Sequence, residues 1–432
     1  MGEQPLSRRS FLSATAVAGL SAPLLAACGG GKSSSSSSSS GKVTVEWWNI
    51  QTTEPSKTLW ANAAKAFMAA NPNVTIKLVT LENEAFKSKM TTLTASGKLP
   101  DIYHTWGGGV LKQQVDAGLV KDLTQPISSW SASLSPIALS AYQFDNKTYG
   151  VPFDIGMVGF WYNKALFKKA GIAAPPTTWN ELLDDVRKLK AAGVTPIAVA
   201  GKDKWPEMYW WAYLSMRIGG LNALKQAASS NDFTGPAFVQ AGEKLKELAA
   251  LKPFQQGFEN AGYDAPGGEA AWMGNAKAGM ELMGQWAPTQ QAASGKGIGN
   301  DLGFFAFPTV EGGQGAATEV FGGGGGYAVR KGAPQAAVDF LKFFATPDQA
   351  TKLVASQAFL PVVKGTESAL TDPNKKLVSQ TLASATGFQL YLDQAFPPAV
   401  GQEVNDSVAA LVAGQKSPQQ VAQAITQTAK SQ

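Results

Sequence analysis

"VTVEWWNIQTTEPSKTLWANAAKAFMAANPNVTIKLV" runs from Val43 to Val79. Its first six residues alternate and are β-branched or aromatic, which predicts a strand. Asn49 to Glu54 is a polar turn. From Pro55 the apolar residues Leu59, Ala63, Phe67 and Ala70 keep helical spacing. Asn71-Pro72-Asn73 stops that helix, and Val74 to Val79 is a second strand. Further on, Phe86, Met90 and Leu93 mark a second helix that closes near Gly97, and Asp101 to Tyr103 is a short third strand. Strand, helix, strand, helix, strand is the signature of an α/β lobe built on a largely parallel sheet.

In open α/β sheets, ligands bind outside the carboxyl ends of the strands. Here those ends carry Trp47-Trp48-Asn49-Ile50-Gln51-Thr52-Thr53-Glu54, Leu81-Glu82-Asn83-Glu84 and His104-Thr105-Trp106-Gly107-Gly108-Gly109. Each loop offers amides, carboxylates or an indole. Each also has a structural reading: Asn49 as a helix cap, Glu84 as a first-turn acid, Trp47 or Trp48 as core. Three such loops on one sheet edge still make that edge the candidate site.

A second α/β pattern follows Tyr149-Gly-Val-Pro-Phe-Asp154 and Phe160-Trp-Tyr-Asn-Lys164. Trp179 to Lys190 is helical, Thr195 to Val199 a strand, Trp210 to Ile218 an aromatic helix, and Phe238 to Leu251 another helix. Gly279 to Met283 is a strand ending at Gln285-Trp286. Val320 to Gly326 leads into a strand at Tyr327 to Arg330, and the helix from Pro334 opens a helical C-terminal region. No repeat is present, and the eight even units of a barrel cannot be counted.

The chain begins differently. Arg8-Arg9 precedes Phe11-Leu12 and an apolar run from Ala14 to Ala27, too short to span a bilayer at about 20 residues. A charged start, a short apolar core and small residues before a cut describe an export signal, and twin arginines point to export of a folded protein. Leu25-Ala-Ala-Cys28 resembles the lipobox of bacterial lipoproteins, in which the cysteine takes diacylglycerol. Cys28 is the one cysteine, so disulfides are excluded. Ser33 to Ser40, between glycines, reads as a flexible tether with a reach on the order of 20 Å for residues 29–41.

Composition narrows the chemistry. The 432 residues carry a net charge of +5, with 44% hydrophobic residues and 12 tryptophans. That length suits two lobes. The charge is spread out, with no basic run interleaved with aromatics, so no nucleic-acid partner is expected. His104 is the single histidine, so a zinc site has too few ligands, and no nucleophile elbow lies near it. No phosphate-cradling loop is present, and neither metal nor cofactor is expected. A pair of carboxylates for glycoside hydrolysis is not excluded by residue counts.

Several segments, in order, carry a resemblance: Tyr149-Gly-Val-Pro, Trp161-Tyr-Asn-Lys164, Pro176-Thr-Thr-Trp-Asn-Glu181, Gly284-Gln-Trp286 and Asp339-Phe-Leu-Lys-Phe-Phe-Ala-Thr-Pro-Asp-Gln349. The chain resembles the family 1 extracellular solute-binding proteins, the sugar-capturing lipoproteins of bacterial ABC importers. The three sheet-edge loops are most similar to actinobacterial xylobiose-type oligosaccharide binders. The resemblance implies a periplasmic-binding-protein-like fold of two α/β lobes, each a mainly parallel sheet flanked by helices, with a ligand cleft at the hinge. The expected lobes are 42–153 plus 326–372, and 154–325 plus 373–432, after a signal at 1–27 and an anchor and tether at 28–41. Crossings are expected near Phe153 to Met157, near Phe321 to Gly325, and at the start of the C-terminal helices.

The resemblance also implies ligand contacts. Trp286 would stack on a sugar ring. Asn49, Gln51, Glu54, Glu82, Asn83, Trp106, Gly107, Asp154, Trp205, Glu207 and Asp393 match other cleft positions, with Gly323 and Gly324 at the crossing. Maltose binders place a glutamate where this chain has Gly156, which speaks against a maltose-like ligand. Indole faces suit sugar C–H groups, and amides with carboxylates suit hydroxyls. The implied partners are a neutral oligosaccharide and permease subunits with a cytoplasmic ATPase, and a monomer is expected. A transport binding protein, a secreted glycoside hydrolase and a free-standing carbohydrate-binding module remain open from the residues alone.

Replacing Cys28 with alanine should release the exported protein from washed membranes into the soluble fraction without changing its affinity for solute. Retention of the variant in the membrane fraction would contradict the anchor.

Overall fold

The computed structural model describes residues 41–432; the expected export signal, Cys28 and the serine run lie outside the described residues. Strand Val43–Asn49 pairs in parallel with Val74–Thr80 on one side and Ile102–Thr105 on the other. Helix Ser56–Ala70 buries Trp60, Ala63, Ala64 and Phe67; of the expected stripe Ala63 and Phe67 are buried, whereas Leu59 is half-buried and Ala70 exposed. Helix Asn83–Ser96 ends at Gly97, whose φ of 68° is the left-handed conformation that glycine adopts without strain.

Beyond Ile102–Thr105 the sheet continues with Gly326–Val329 and then Gly150–Pro152, both antiparallel to their neighbours. A second sheet runs Leu302–Phe305, Gly159–Asn163, Ala278–Met283, Thr195–Ala198, and only its last pairing is parallel. Glu319–Gly323 pairs with Gly387–Leu390 in parallel and with Gly156–Met157 antiparallel, forming a small third sheet. The two-lobed α/β class therefore holds, whereas the mainly parallel sheets do not. The antiparallel strands flank the crossing segments, which enter a sheet directly instead of returning over a helix as a parallel crossover must.

Helix Trp179–Ala191 opens with a capping box between Thr178 and Glu181 and buries Leu182, Val186 and Leu189. The aromatic helix is longer than its sequence suggests, spanning Trp205–Ser230 with a break at Gly220, where φ is 74°. Pro206 is tolerated in the first turn, where its missing N–H costs nothing. The helix is buried on nearly every side from Trp205 to Arg217, so it has no amphipathic period to mark its start.

Arg217 is fully buried in this helix. Its guanidinium donates to the carbonyls of Phe307, Pro308, Ala316, Ala317 and Glu319. It thereby fixes the loop that feeds strand Glu319–Gly323. Methionine in its place would leave buried carbonyls without donors, at about 1–3 kcal/mol for each group left unsatisfied. Arg217→Met should lower the urea unfolding midpoint by at least several tenths of a molar unit; an unchanged midpoint would show that the loop is held by other means.

Candidate functional site

The loop after the first strand is shaped by its own side chains. Asn49 has no solvent exposure. Its Nδ2 donates to the Val79 carbonyl and Thr80 Oγ1, each at 3.2 Å, and its Oδ1 accepts from the Gln51 N–H at 2.8 Å. Asn49 therefore joins two strand ends, and the expected ligand contact is replaced by a structural one. Glu54 is similarly engaged, accepting from the Thr58 N–H at 3.2 Å and Thr58 Oγ1 at 3.0 Å. It caps a helix whose first residue follows Pro55, which has no side-chain acceptor. Gln51 stays half-buried between them. Thr53 Oγ1 accepts from Gln290 Nε2 at 3.2 Å, so this loop meets the helix that follows Trp286.

Glu82 faces Asp264; burial and then that negative charge raise its pKa. Asn83 Nδ2 donates to Glu84 Oε1 at 2.7 Å. Trp106 leans edge-on against His104, with centroids 4.5 Å apart. His104 is buried with neither ring nitrogen hydrogen-bonded, and burial pushes its pKa down to about 3. Gly107 has φ of 77°, and a Cβ there would lie 2.2 Å from the Ala141 carbonyl oxygen; glycine is required by both conformation and space. A Cβ on Gly108 or Gly109 would lie 2.4 Å from the carbonyl oxygen of Gln394 or Phe396, so this turn abuts the Asp393 segment.

The facing wall is aromatic. Trp205 meets Tyr209 at 5.4 Å and Tyr263 at 5.5 Å; Tyr209 stacks on Tyr391 at 5.7 Å; Tyr391 meets Trp286 edge-on at 6.1 Å. Trp286 is half-buried, while the other four are buried. Its ring folds over Gly284, where a Cβ would lie 2.1 Å from it. Interleaved with these rings are buried polar atoms without a protein partner: Trp205 Nε1, Glu207 Oε2, Tyr263 OH, Tyr391 OH, Gln285 Oε1 and Gln290 Oε1. Such atoms are individually costly unless water or a ligand pairs with them. Burial, then the charge of Glu259, raises Glu207 to about 8, so its neutral carboxyl can both donate and accept.

At the crossing, Asp154 accepts from Gln285 Nε2 at 2.6 Å and from the Leu360 N–H at 2.9 Å. Burial raises its pKa and lowers that of nearby Lys375. Each carboxylate oxygen thus accepts one hydrogen bond from the protein, and Asp154 ties the Gln285 and Leu360 segments together. Gly323 and Gly324 serve close approach: a Cβ would lie 2.4 Å from the Tyr391 ring or 2.0 Å from the Asp154 carbonyl oxygen. At Gly156 a Cβ would lie 2.0 Å from Gln285 Oε1, so the glutamine occupies the space a longer side chain would need. Of the expected residues, Glu82, Asn83, Trp106, Trp205, Glu207, Trp286 and Asp393 remain available around the two facing walls. Sequence reasoning missed Lys87, Tyr209, Tyr263, Tyr391 and Gln290. Gln290 was the most findable, standing one helical turn after Trp286. Among the described residues, no group of three His, Cys, Asp or Glu is placed to hold a metal ion.

Two lobes meeting through polar and aromatic walls define a protein that encloses a solute. The model of the bacterial extracellular solute-binding proteins matches residues 49–351, and the chain belongs to that family. Its members are the solute-binding components of importers and not enzymes. The multiple sugar-binding protein of Streptococcus mutans serotype c is 28% identical over 310 residues, covering 69% of this chain and 70% of that one. A structure solved in work on xylan utilization by the thermophilic bacterium Caldanaerobius polysaccharolyticus superposes with a TM-score of 0.83 at 29% identity, covering 89% of this chain and 99% of that chain. A chitin oligosaccharide binding protein superposes with the same TM-score at 25% identity, covering 90% and 98% of the two chains.

His104 makes the folded state acid-sensitive. The native imidazole stays neutral down to about pH 3, whereas in the unfolded chain it protonates near pH 6.5. Between these values the unfolded state binds the extra proton, so stability falls as pH falls, by about 1.4 kcal/mol per unit. His104→Phe should remove this slope, so that its stability relative to the parent rises by about 2–3 kcal/mol from pH 7 to pH 4.5. Parallel pH–stability curves for the two proteins would refute the assignment.

Proposed function

We propose that this protein captures a short neutral oligosaccharide, xylobiose or a related xylo-oligosaccharide, between two closing lobes and delivers it to an ABC permease driven by a cytoplasmic ATPase. The observation that carries this reading is the wall in which the rings of Trp205, Tyr209, Tyr391 and Trp286 alternate with unpartnered buried polar atoms. Ring faces accept sugar C–H surfaces, and paired donors and acceptors match hydroxyls, which are both. The lobes in this proposal are 42–153 plus 326–372, and 154–325 plus 373–432.

Charge supports a neutral ligand. Arg187 pairs with Asp184, Arg330 with Asp101, and Arg217 is used up by carbonyls, so none of the three is free to hold an anion. Gln285 packed against Gly156 supports the departure from a maltose-like ligand. The preference for xylo-oligosaccharides rests on the loop resemblance and on the likeness to the protein studied for xylan utilization. The protein acts as an exported monomer, held by lipid on Cys28 and a serine tether at the outer face of the cytoplasmic membrane, with no nucleic-acid partner or cofactor. None of the described helices is long and apolar enough to cross a membrane.

Calorimetric titration with xylo-, cello-, malto- and chito-oligosaccharides tests the assignment. One-to-one binding of xylobiose or xylotriose without product formation is expected. Binding of another sugar alone would overturn the xylo-oligosaccharide preference, and turnover would overturn capture. Trp286→Ala should weaken binding about thirtyfold, the loss of roughly 2 kcal/mol typical of an aromatic anchor. Its melting temperature should stay near that of the parent, because the ring is only half-buried. A large melting drop with unchanged affinity would place Trp286 in the core.

A further inference from the structure

Lys87 belongs to helix Asn83–Ser96 in the lobe of the first sheet, yet its surroundings come from both lobes. Its Nζ lies 3.3 Å from Glu84 on its own helix and 3.9 Å from Asp393 Oδ2 across the cleft. The same ammonium stands 5.5 Å from the ring of Trp106 and 5.8 Å from the ring of Trp205. Trp106 follows strand Ile102–Thr105, and Trp205 begins the long helix of the second lobe. One cation thus touches an indole and a carboxylate contributed by each side.

Such a placement has two physical effects. An ammonium is attracted by the negative face of an indole, more strongly as water is excluded, and it attracts Asp393 and Glu84 directly. Lys87 therefore pulls the lobes together and fixes Trp106 relative to Trp205. An ammonium also has three N–H donors and no acceptor. Glu84 Oε1 accepts one of them at 3.3 Å, while Asp393 at 3.9 Å is an ion-pair partner without a hydrogen bond, so N–H donors remain beside the two rings.

We propose that Lys87 is the residue through which both lobes grip the solute together: its ammonium bridges Trp106 to Trp205 and Asp393 on closure, and an N–H not used by Glu84 donates to a ligand hydroxyl. The second half of this proposal rests on the capture reading above; the bridge does not. Lys87→Met keeps the aliphatic stem and removes the charge, whereas Lys87→Arg keeps the charge.

The test titrates wild type and both variants with xylobiose, cellobiose, maltose and chitobiose at about 50 mM and about 500 mM sodium chloride. A neutral sugar has no charge of its own to screen, and the Glu82–Asp264 pair is common to all three proteins, so a fall in affinity with salt that Lys87→Met abolishes reports on the bridge. For the sugar bound, wild-type affinity should fall at high salt. Lys87→Met should bind about tenfold to a hundredfold more weakly at low salt, as for loss of a charged hydrogen bond, and should not respond to salt. Lys87→Arg should remain within about threefold of wild type. Wild-type affinity for Lys87→Met at both salts would overturn the proposal. If Lys87→Met does not fold, a wild type whose affinity ignores salt overturns it, and a salt-dependent wild type matched by Lys87→Arg supports it. If wild type binds none of these sugars, the sugar reading has failed separately, and X-ray scattering of the free proteins decides on the bridge. A radius of gyration that grows with salt in wild type and is large at both salts in Lys87→Met supports it; superimposable curves overturn it.

Discussion

The buried carboxylate of Asp154 constrains everything around the cleft. It stands between strands Gly150–Pro152 and Gly156–Met157, which belong to different sheets, and accepts one hydrogen bond from Gln285 and one from the Leu360 main chain. Gln285 immediately precedes Trp286, so the position of that indole is tied to Asp154. Lys375 lies close enough to offset part of the buried charge. A carboxylate deprived of water needs such partners, and the crossing strands must come close to supply them. The glycines at 322–325 allow that approach: at each, a Cβ would run into backbone or a ring within 2.4 Å. They are there for space, since none of the four has a positive φ.

Much of the fold is legible in the sequence because local patterns and the final structure agree. Strand Val43–Asn49, helix Ser56–Ala70 and the Gly97 terminator all follow from spacing and end signals. The sheet directions do not, because Gly150–Pro152, Gly156–Met157 and Gly326–Val329 are short crossing strands whose partners are chosen by tertiary structure. Trp205–Ser230 defeats periodicity for a different reason: it is buried almost all round.

The site divides in the same way. The three loops do gather at one sheet edge, as strand polarity demands. Within them an amide or carboxylate looks the same whether it will meet a ligand or its own backbone. Asn49 and Asp154 turned inward and Glu54 caps its own helix at the surface; Glu82, Asn83 and Asp393 are less buried. Tyr209, Tyr263 and Tyr391 carry no local signal, since a tyrosine suits a core and a cleft equally. Lys87 reads as a solvated position on an unremarkable helix, and only the opposite lobe gives it a role. Burial also changes the chemical identity of what is present: Glu207 becomes a neutral acid and His104 a neutral aromatic ring. Formal charges read from the sequence therefore overstate the ionic character of these groups.

The grip of Arg217 on the loop from Phe307 to Glu319 bears on survival outside the cell. Glu311, Gly312 and Gln314 to Thr318 are largely exposed and rich in small residues, the composition that extracellular proteases find easiest to thread into an extended groove. A protease must first peel the backbone away from the body of the protein. Here five carbonyls along the loop are fastened to one buried guanidinium, so local detachment requires that an arginine be stripped of its partners in the interior. The cost of that stripping sets the barrier a protease must meet at an otherwise accessible loop, with no added bulk.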